Sequence, residues 1–179
     1  MRLETRRLAL RWLTTGDAGL LLAIWNDPAF VRYVGDRGIR TISEAQEAME
    51  AGVLMLYAKY GYGPFRVALK ESDRPIGICG LFRRDGLDCP DLGYSILPEY
   101  CGKGFASEAA SAVLDYARST LALDRVIAII SPDNAASIGL IGKLGFEFER
   151  MHTMPGDDSA VRVYSKYLSD EDRHGFPEQ

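Results

Sequence analysis

PEYCGKGFASEA, residues 98–109, is the segment of this sequence that decides its fold. It follows an alternating stretch, Asp91–Leu97, that predicts a strand, and it leads into a stretch with apolar residues at helical spacing. Gly102 and Gly104 allow a tight turn and a close approach to a ligand, because glycine tolerates a positive φ. The N–H groups of such a turn face the positive end of the helix dipole, which suits a phosphate. An ordinary strand-to-helix turn fits the spacing equally well at this point.

Two better-known phosphate-binding motifs do not fit this segment. A P-loop requires Lys followed by Ser or Thr, whereas Gly104 follows Lys103 here. A dinucleotide-binding fingerprint requires Gly where Ser107 stands, and it requires a preceding βαβ unit instead of hairpins. Lys103 adds positive charge to the turn. Ser107 is placed to cap the helix or to contact a phosphate.

Outward from this segment, hydrophobic periodicity predicts further elements on both sides. Strands are predicted at residues 6–12, 65–70, 75–83, 91–97, 126–130, 146–150 and 160–168. Helices are predicted at residues 14–25, 29–35, 43–60, 107–121 and 134–143. Ser43 and Gln46 have capping-box spacing, which predicts that they open the third helix. Hairpins followed by strand–helix units predict an α/β (α+β) fold with a mixed sheet flanked by helices.

The composition is that of a globular domain. The chain has 179 residues, of which 47% are hydrophobic and 26% charged, enough to bury a sizeable core. We assign residues 1–170 to one domain and residues 171–179 to an acidic tail that is expected to fray. The net charge of −4 argues against a nucleic-acid partner.

Targeting and metal-binding patterns are the next classes to consider. The sequence has no apolar run of bilayer length and no signal-peptide pattern, so we expect a cytoplasmic protein with no membrane partner. Three cysteines without a Cys-x-x-Cys pair, and two distant histidines, predict neither a disulfide framework nor a metal site.

The sequence resembles the GNAT superfamily of N-acetyltransferases, and most closely its RimJ/RimL-type branch, which includes enzymes that acetylate ribosomal-protein N-termini. Residues Gly102–Ala109 resemble the acetyl-CoA pyrophosphate loop of that family, Gln/Arg-x-x-Gly-x-Gly/Ala, with Glu99 in the first position. Residues Asn134–Ser137 and Lys143–Phe146 resemble its second motif, Asn-x-x-Ser followed by Lys-Leu-Gly-Phe. The resemblance spans about residues 2–168.

The resemblance implies a GNAT-like domain whose central sheet is splayed near its middle. Acetyl-CoA, the implied cosubstrate, would enter between the strands predicted at residues 91–97 and 126–130. Backbone groups near the end of the first strand would hold the pantetheine arm, and amides of the glycine turn would hold the pyrophosphate. Asn134 matches the residue that binds the pantetheine arm, and Lys143 is placed to reach the ribose phosphate. The expected cofactor-binding residues are Ile96, Leu97, Gly102, Lys103, Gly104, Phe105, Ala106, Ser107, Asn134 and Lys143.

Acetyl transfer to an amine requires a base for the amine and stabilisation of the leaving thiolate. Asp91 is the candidate base, because it begins its strand where the resembled branch often carries Glu; the alternative is an exposed strand-end carboxylate. Tyr94 is a candidate for orienting the acceptor or donating to the thiolate; the alternative is a core tyrosine. Many family members carry a thiolate-protonating Tyr on the last helix, but Ile141 occupies that position here. Ser137 is the substitute donor, or else an ordinary helix-surface serine.

These features predict an acetyl-CoA-dependent N-acetyltransferase in which a primary amine attacks directly in a ternary complex. The amine would belong to a protein or peptide N-terminus or to a small molecule, and the acidic chain favours a cationic amine such as a polyamine. A non-catalytic acyl-CoA-binding or regulatory module is the main alternative, and a nucleotide-phosphate binder is another. The resemblance also suggests a homodimer through an exposed edge of the strand at residues 160–168. Aromatic residues are concentrated where the acceptor is expected: Trp25, Phe30, Tyr33, Tyr60 and Tyr62.

Overall fold

Eight strands form one mixed sheet in this computed structural model, which describes residues 1–154 and 160–169. The strands are β1 (Arg2–Glu4), β2 (Leu8–Trp12), β3 (Pro64–Leu69), β4 (Pro75–Phe82), β5 (Asp91–Ile96), β6 (Arg125–Ile130), β7 (Glu147–Thr153) and β8 (Ala160–Tyr167). The helices are α1 (Ala18–Trp25), α2 (Pro28–Tyr33), α3 (Ile42–Ala48), α4 (Leu54–Tyr60), α5 (Phe105–Ser119) and α6 (Ala135–Lys143). The strand order is β1-β2-β3-β4-β5-β6-β8-β7. The tail predicted at residues 171–179 lies outside the described residues.

The sheet opens between β5 and β6. These strands run parallel and share one registered pair, Asp91 with Ile127, whereas β5 pairs with β4 over its whole length. Beyond Asp91, β5 continues to Ile96 without a partner strand on its β6 side. The predicted mixed, splayed sheet flanked by helices is therefore confirmed.

Helices cover both faces of the sheet. The apolar stripe of α5, which includes Val113 and Leu114, packs in a core cluster with β2, β4 and β5. Helices α1 and α3 build a second cluster around Leu21. Ile78 and Cys79, adjacent on β4, belong to different clusters, because successive strand residues point to opposite faces.

The predicted helix at residues 43–60 begins earlier and changes its winding. Thr41 is the N-cap, and its hydroxyl accepts a hydrogen bond from the backbone N–H of Glu44 at 3.3 Å. The carboxylate of Glu44 accepts from the backbone N–H of Thr41 at 2.9 Å, so this pair forms the capping box. The predicted Ser43–Gln46 box is therefore wrong. A π-helical turn, Met49–Val53, separates α3 from α4.

The strand predicted at residues 160–168 is not an edge strand. β8 lies between β6 and β7 and pairs with both, and the edges of the sheet are β1 and β7. The prediction of a dimer through an exposed edge of this strand is wrong, because its hydrogen-bonding groups face neighbours on both sides. The short edge strand β1 was not predicted.

Candidate active site

A cavity of about 350 Å³ lies where β5 and β6 separate. Its walls come from α1, α2 and the π-helical turn on one face of the sheet, and from α6 on the other. The gap in the sheet thus joins the two faces, so reactants held on opposite faces would meet beside β5. The volume is at the lower end of the range of small-molecule sites.

The backbone of β5 leaves polar groups free toward this gap. The N–H of Leu97 donates to a carbonyl of β4 at 2.8 Å, and the carbonyl of Pro90 accepts from an N–H of β6 at 3.0 Å. Alternate residues of a strand direct their N–H and C=O groups to opposite sides. Tyr94 and Ile96 therefore direct theirs toward β6, where β5 has no registered partner after Asp91.

Leu97 differs from Ile96 in this respect. Its N–H is bound to β4, and its carbonyl accepts a hydrogen bond from the N–H of Tyr100 at 2.9 Å. Its side chain packs on the cluster formed by α1 and α3. Of the two residues predicted to hold a ligand through the backbone, only Ile96 has groups directed into the gap.

Tyr94 and Ser137 meet on the α6 side of the cavity. The Tyr94 hydroxyl is buried and makes no hydrogen bond to the described residues. Burial raises the pKa of Tyr94, and the nearby hydroxyl of Ser137 opposes that shift. An orphaned buried hydroxyl is costly without a partner, so its place in a cavity wall suits a bound polar group.

Asp91 lies on the opposite face of β5 from Tyr94, because the two residues are three positions apart on the strand. Its side chain is 1% exposed, so the alternative of an exposed strand-end carboxylate is wrong. The Nε atom of Arg84 donates to both carboxylate oxygens, at 3.1 and 3.2 Å. Burial raises the pKa of Asp91 above its ordinary value, and Arg84 opposes the shift. A carboxylate with a raised pKa is a better proton acceptor than an exposed one.

Asn134 is the N-cap of α6 and lines the cavity. Its Oδ1 accepts a hydrogen bond from the backbone N–H of Ser137 at 3.1 Å. Its Nδ2 has no partner in the described part of the chain, so it remains a donor for a ligand. An exposed ion pair beside the cavity, Arg32 to Asp133 at 2.9 Å, joins α2 to the loop that carries Asn134.

The glycine turn has the conformation that its sequence predicts. Gly102 and Gly104 have φ angles of 73° and 78°, in the left-handed region that favours glycine. Gly104 is the N-cap of α5, and the helix begins at Phe105. The predicted capping role of Ser107 is therefore wrong, since Ser107 lies within the first turn. The Lys103 amine donates to the carbonyl of Glu99 at 2.8 Å.

The start of α5 is held by the turn between β1 and β2. The carboxylate of Glu108 accepts from the Thr5 hydroxyl at 2.6 Å and from the Arg7 N–H and Nε at 2.8 and 2.6 Å. The Nη1 atom of Arg7 donates to the carbonyl of Lys103 at 3.0 Å. The Arg7 guanidinium also lies 4.5 Å from the ring centroid of Phe105. These contacts fix the glycine turn against the sheet.

The Acetyltransferase (GNAT) domain family matches residues 7–147. The chain belongs to the GNAT acetyltransferase family. It is 33% identical over 148 residues to the N-acetyltransferase p20 of Bacillus licheniformis, a match that covers 82% of this chain and 83% of that protein. It is 35% identical over 149 residues to the N-acetyltransferase YoaA of Bacillus subtilis strain 168, with the same coverage of 82% and 83%.

An acetyltransferase structure from Agrobacterium tumefaciens strain C58 has the same architecture. It matches with a TM-score of 0.79 at 25% identity, over 93% of this chain and 94% of that one. The predicted family, fold and general reaction class, acyl transfer to an amine, are thereby confirmed.

Other predicted residues of this GNAT domain lie at the margin of the site. Lys143 ends α6 and is exposed, and Ala106 and Ser107 are partly exposed in the first turn of α5. Ile141 is fully buried and lines the cavity, so no hydroxyl occupies the position of the family's Tyr. Trp25, Phe30 and Tyr33 line the cavity, whereas Tyr60 and Tyr62 stack on each other with ring centroids 5.8 Å apart.

Sequence reasoning missed the arginines of this GNAT site. Arg37, Arg83 and Arg84 line the cavity, and Arg7 holds the glycine turn. The only signal for Arg84 was its place in an Arg-Arg pair before the strand that carries Asp91. Within residues 1–154 and 160–169, no three His, Cys, Asp or Glu side chains come together as a metal-binding group. No helix among those residues has the length and apolar character to span a bilayer.

Proposed function

We propose that this chain transfers the acetyl group of acetyl-CoA to a primary amine in a ternary complex. Family membership supports the reaction class. The observation that carries the proposal is the gap beside β5, where backbone groups of Tyr94 and Ile96 face no partner strand and adjoin a buried hydroxyl without a hydrogen bond. The Ile96 carbonyl accepts only a hydrogen bond from the Cys101 thiol, at 3.4 Å. A ligand with amides and a polar head satisfies these groups, and the pantetheine arm with its thioester is such a ligand.

The residues of the site fit the cosubstrate along its length. Backbone groups of Tyr94 and Ile96 would pair with the pantetheine amides as a further strand does. The Nδ2 atom of Asn134 is free to donate to the same arm. The amides of the glycine turn, from Gly102 to Ser107, would hold the pyrophosphate at the start of α5. Lys143 would reach the ribose phosphate only by extending its side chain from the end of α6.

The reaction forms a C–N bond and breaks the C–S bond of the thioester. The acceptor nitrogen attacks the carbonyl carbon, and the thiolate of CoA leaves with the electron pair of the C–S bond. Asp91 accepts a proton of the acceptor ammonium, directly or through a water. The hydroxyls of Tyr94 and Ser137 lie on the other face of the gap, where one of them would donate a proton to the leaving sulfur. The second proton lost by the acceptor nitrogen replaces the one that this hydroxyl gave up. The product amide carries no charge on nitrogen, which favours its release from a carboxylate.

Thermal unfolding with and without ligand tests the cofactor part of this proposal. CoA or acetyl-CoA at about one hundred times its dissociation constant is expected to stabilise the fold by about 2.7 kcal/mol, or about 5–10 °C in Tm. Gly102→Ala forces alanine into the left-handed region at a cost of about 1–2 kcal/mol and is expected to remove most of the shift.

Gly61→Ala is the matched control. Gly61 has a φ of 72° against 73° for Gly102, and neither would place a Cβ within 4 Å of another atom. The control is expected to lose similar stability and to keep the ligand shift. A normal shift in Gly102→Ala, or a shift with Mg-ATP in place of CoA, would contradict the assignment.

A non-catalytic acyl-CoA-binding module is the second candidate. The buried Ile141 favours it, because the family's thiolate-protonating Tyr is missing at that position. Release of free thiol from acetyl-CoA, dependent on an added amine, separates the two functions. Membership of the RimJ/RimL branch, a cytoplasmic location and a homodimer stay predictions, and the dimer now lacks the edge that was assigned to it.

A further inference from the structure

The described wall of the cavity carries an excess of positive charge. It contains the guanidinium groups of Arg37, Arg83 and Arg84 and one carboxylate, that of Asp91. The chain as a whole carries a net charge of −4. The site therefore has the opposite sign from the molecule, and the local charge decides what binds there.

Two of these guanidinium groups have unused hydrogen-bonding capacity. Arg84 contacts Asp91 through Nε alone, and its two Nη atoms have no partner among the described residues. Arg37 makes no hydrogen bond or ion pair there, and its guanidinium lies 4.9 Å from the ring centroid of Trp25. Arg37 is an exposed residue, but desolvation of its guanidinium at the cavity wall and the neighbouring charge of Arg84 lower its pKa. Arg83 differs, because it donates to the carbonyl of Asp88 at 2.8 Å.

Such an arrangement suits an anion. Arg37 and Arg84 have one carboxylate between them, that of Asp91, so their positive charges still repel each other, and a bound anionic group reduces the repulsion. Guanidinium groups bind carboxylate and phosphate oxygens through paired N–H donors. Since Arg84 also touches the candidate base, the anion and the reacting amine would be neighbours.

We propose that the acceptor is a small amine that also carries a carboxylate or phosphonate, which Arg37 and Arg84 bind while the amine faces Asp91. This inference rests on the proposed acetyl transfer and narrows its substrate class. In an α-amino acid the amine and the carboxylate are close neighbours, as Asp91 and Arg84 are here, and the cavity of about 350 Å³ has room for such a molecule. Trp25, Phe30 and Tyr33 offer an apolar wall for its side chain.

The positive charge of the cavity wall favours an acidic acceptor, whereas the net negative charge of the chain had predicted a cationic amine such as a polyamine. A polyamine such as spermidine would bring further positive charges beside Arg37 and Arg84. A carboxylate-bearing amine replaces that repulsion with charge-assisted hydrogen bonds. Such bonds typically change affinity by about 10- to 100-fold.

Acceptors that differ only in the acidic group provide the test. L-phenylalanine, L-phenylalaninamide, phenethylamine and spermidine are compared by the release of free thiol from acetyl-CoA. The expected kcat/KM is at least about tenfold higher for the acid than for the amide or the decarboxylated amine. A phosphonate analogue of phenylalanine distinguishes carboxylate from phosphonate preference.

Arg37→Gln tests the residue assignment. The variant is expected to lower the ratio of kcat/KM for the acid to kcat/KM for the amide by about tenfold. Arg37→Lys is expected to restore part of it. Arg40→Gln is the matched control, because Arg40 lies in the same loop, pairs with Asp36 at 2.6 Å and does not line the cavity. It is expected to behave as the unmodified protein.

A binding measurement separates this inference from the proposed function. With CoA present, N-acetyl-L-phenylalanine is expected to raise Tm, and N-acetyl-L-phenylalaninamide is not. If no amine releases thiol but this difference persists and vanishes in Arg37→Gln, transfer fails and the anion site stands. If the amide, the decarboxylated amine or spermidine reacts as well as the acid, or if neither N-acetyl compound raises Tm, the inference is overturned.

Discussion

Asp91 is a buried carboxylate with the guanidinium of Arg84 beside it. Burial makes its ionised form unfavourable for stability, but the proposed base must be ionised to accept a proton. Burial raises its pKa in the folded protein, so folding favours the protonated form. The stabilisation from this group is complete below about pH 4, the ordinary pKa of Asp, and is lost as pH rises through the folded pKa. Above the folded-state pKa, the ionised Asp91 is therefore a cost that the fold tolerates.

Asp91→Asn is expected to lower kcat by about 100-fold or more, because the amide cannot accept the ammonium proton. The acid limb of the pH–rate profile, which reflects the raised pKa of Asp91, is expected to disappear in the variant. The free energy of unfolding at neutral pH is expected to be no lower than that of the unmodified protein. Asp88→Asn is the control, since Asp88 is an exposed carboxylate paired with Arg125. Activity within threefold of normal in Asp91→Asn excludes the base assignment.

Tyr94→Phe is expected to change stability and turnover in opposite directions. Removal of an unpartnered buried hydroxyl should stabilise the unliganded protein by about 1 kcal/mol, while the loss of a donor near the leaving sulfur lowers kcat. Tyr57→Phe is the comparison, because the Tyr57 hydroxyl accepts from the Leu13 N–H at 3.1 Å and donates to Pro64. That variant is expected to lose about 1 kcal/mol. Chemical denaturation and steady-state rates measure both effects, and a destabilised Tyr94→Phe of normal activity argues for a plain core role.

The strand that carries Asp91 and Tyr94 was predictable from the sequence, but the burial and the neighbours of their side chains were not. Alternation in the sequence placed Asp91 and Tyr94 on one strand, but the burial of Asp91 depends on Arg84 and on helices distant in the sequence. Arg37 carried no local signal at all. Its role follows from the loop that brings it over Trp25, which no spacing rule specifies.

The contact between the β1–β2 turn and Glu108 of α5 holds the glycine turn in position. Burial raises the pKa of Glu108, but hydrogen bonds from Thr5 and Arg7 outweigh it, so that the pKa lies below its ordinary value. A carboxylate whose pKa is lowered on folding stabilises the protein at pH values above its unfolded-state pKa. That stabilisation is lost as pH falls through the folded-state pKa. A carboxylate in the first turn also interacts favourably with the helix dipole.

Glu108→Gln is expected to cost about 1–3 kcal/mol at neutral pH and to weaken CoA binding, because Arg7 no longer holds the turn in place. The stability difference from the unmodified protein is expected to shrink in acid, where the native carboxylate is protonated. Asp115→Asn, an exposed carboxylate on the same helix, is the control and should change neither quantity. Equal CoA affinity in Glu108→Gln shows that the turn holds its shape without the clamp.

Element boundaries show what local patterns can and cannot specify. The predicted strand at residues 91–97 and the observed β5 differ by one residue, because alternation and flanking turns both mark it. The start of α3 was misplaced, since two capping-box spacings lie side by side and only Thr41 with Glu44 forms the bonds. The π-helical turn had no sequence signal, because a wider turn depends on packing against the sheet.

At the scale of the whole sheet, the free energy of local opening is expected to be lowest at the centre, beside the gap between β5 and β6, when no ligand is bound. The N–H groups of Tyr94 and Ile96 face the gap, whereas those of Gly93 and Ser95 face β4, with which β5 pairs. Amide hydrogen exchange is expected to be fast at the first pair and slow at the second. CoA is expected to protect Tyr94 and Ile96. Equal protection of all four amides without ligand would show that the gap is closed in solution.

The order of strands was the least predictable feature of the whole molecule. The chain places β7 before β8, yet β8 is inserted between β6 and β7. Both strands alternate, so the pattern predicts that they pair but does not say which is inside. The family resemblance gave the fold and the reaction class, and the charge of the cavity emerged only when distant segments were brought together.

The ion pair between Arg32 and Asp133 limits how far binding of one substrate could change the affinity for the other through this contact. It joins α2, on the proposed acceptor side of the cavity, to the loop that carries Asn134, a proposed ligand of the cosubstrate. Its side chains are 65% and 56% exposed, and such a pair is worth at most about 1 kcal/mol. By thermodynamic linkage, each substrate can change the affinity of the other through this contact by at most about fivefold, equally in both directions. That cooperativity fades as ionic strength rises.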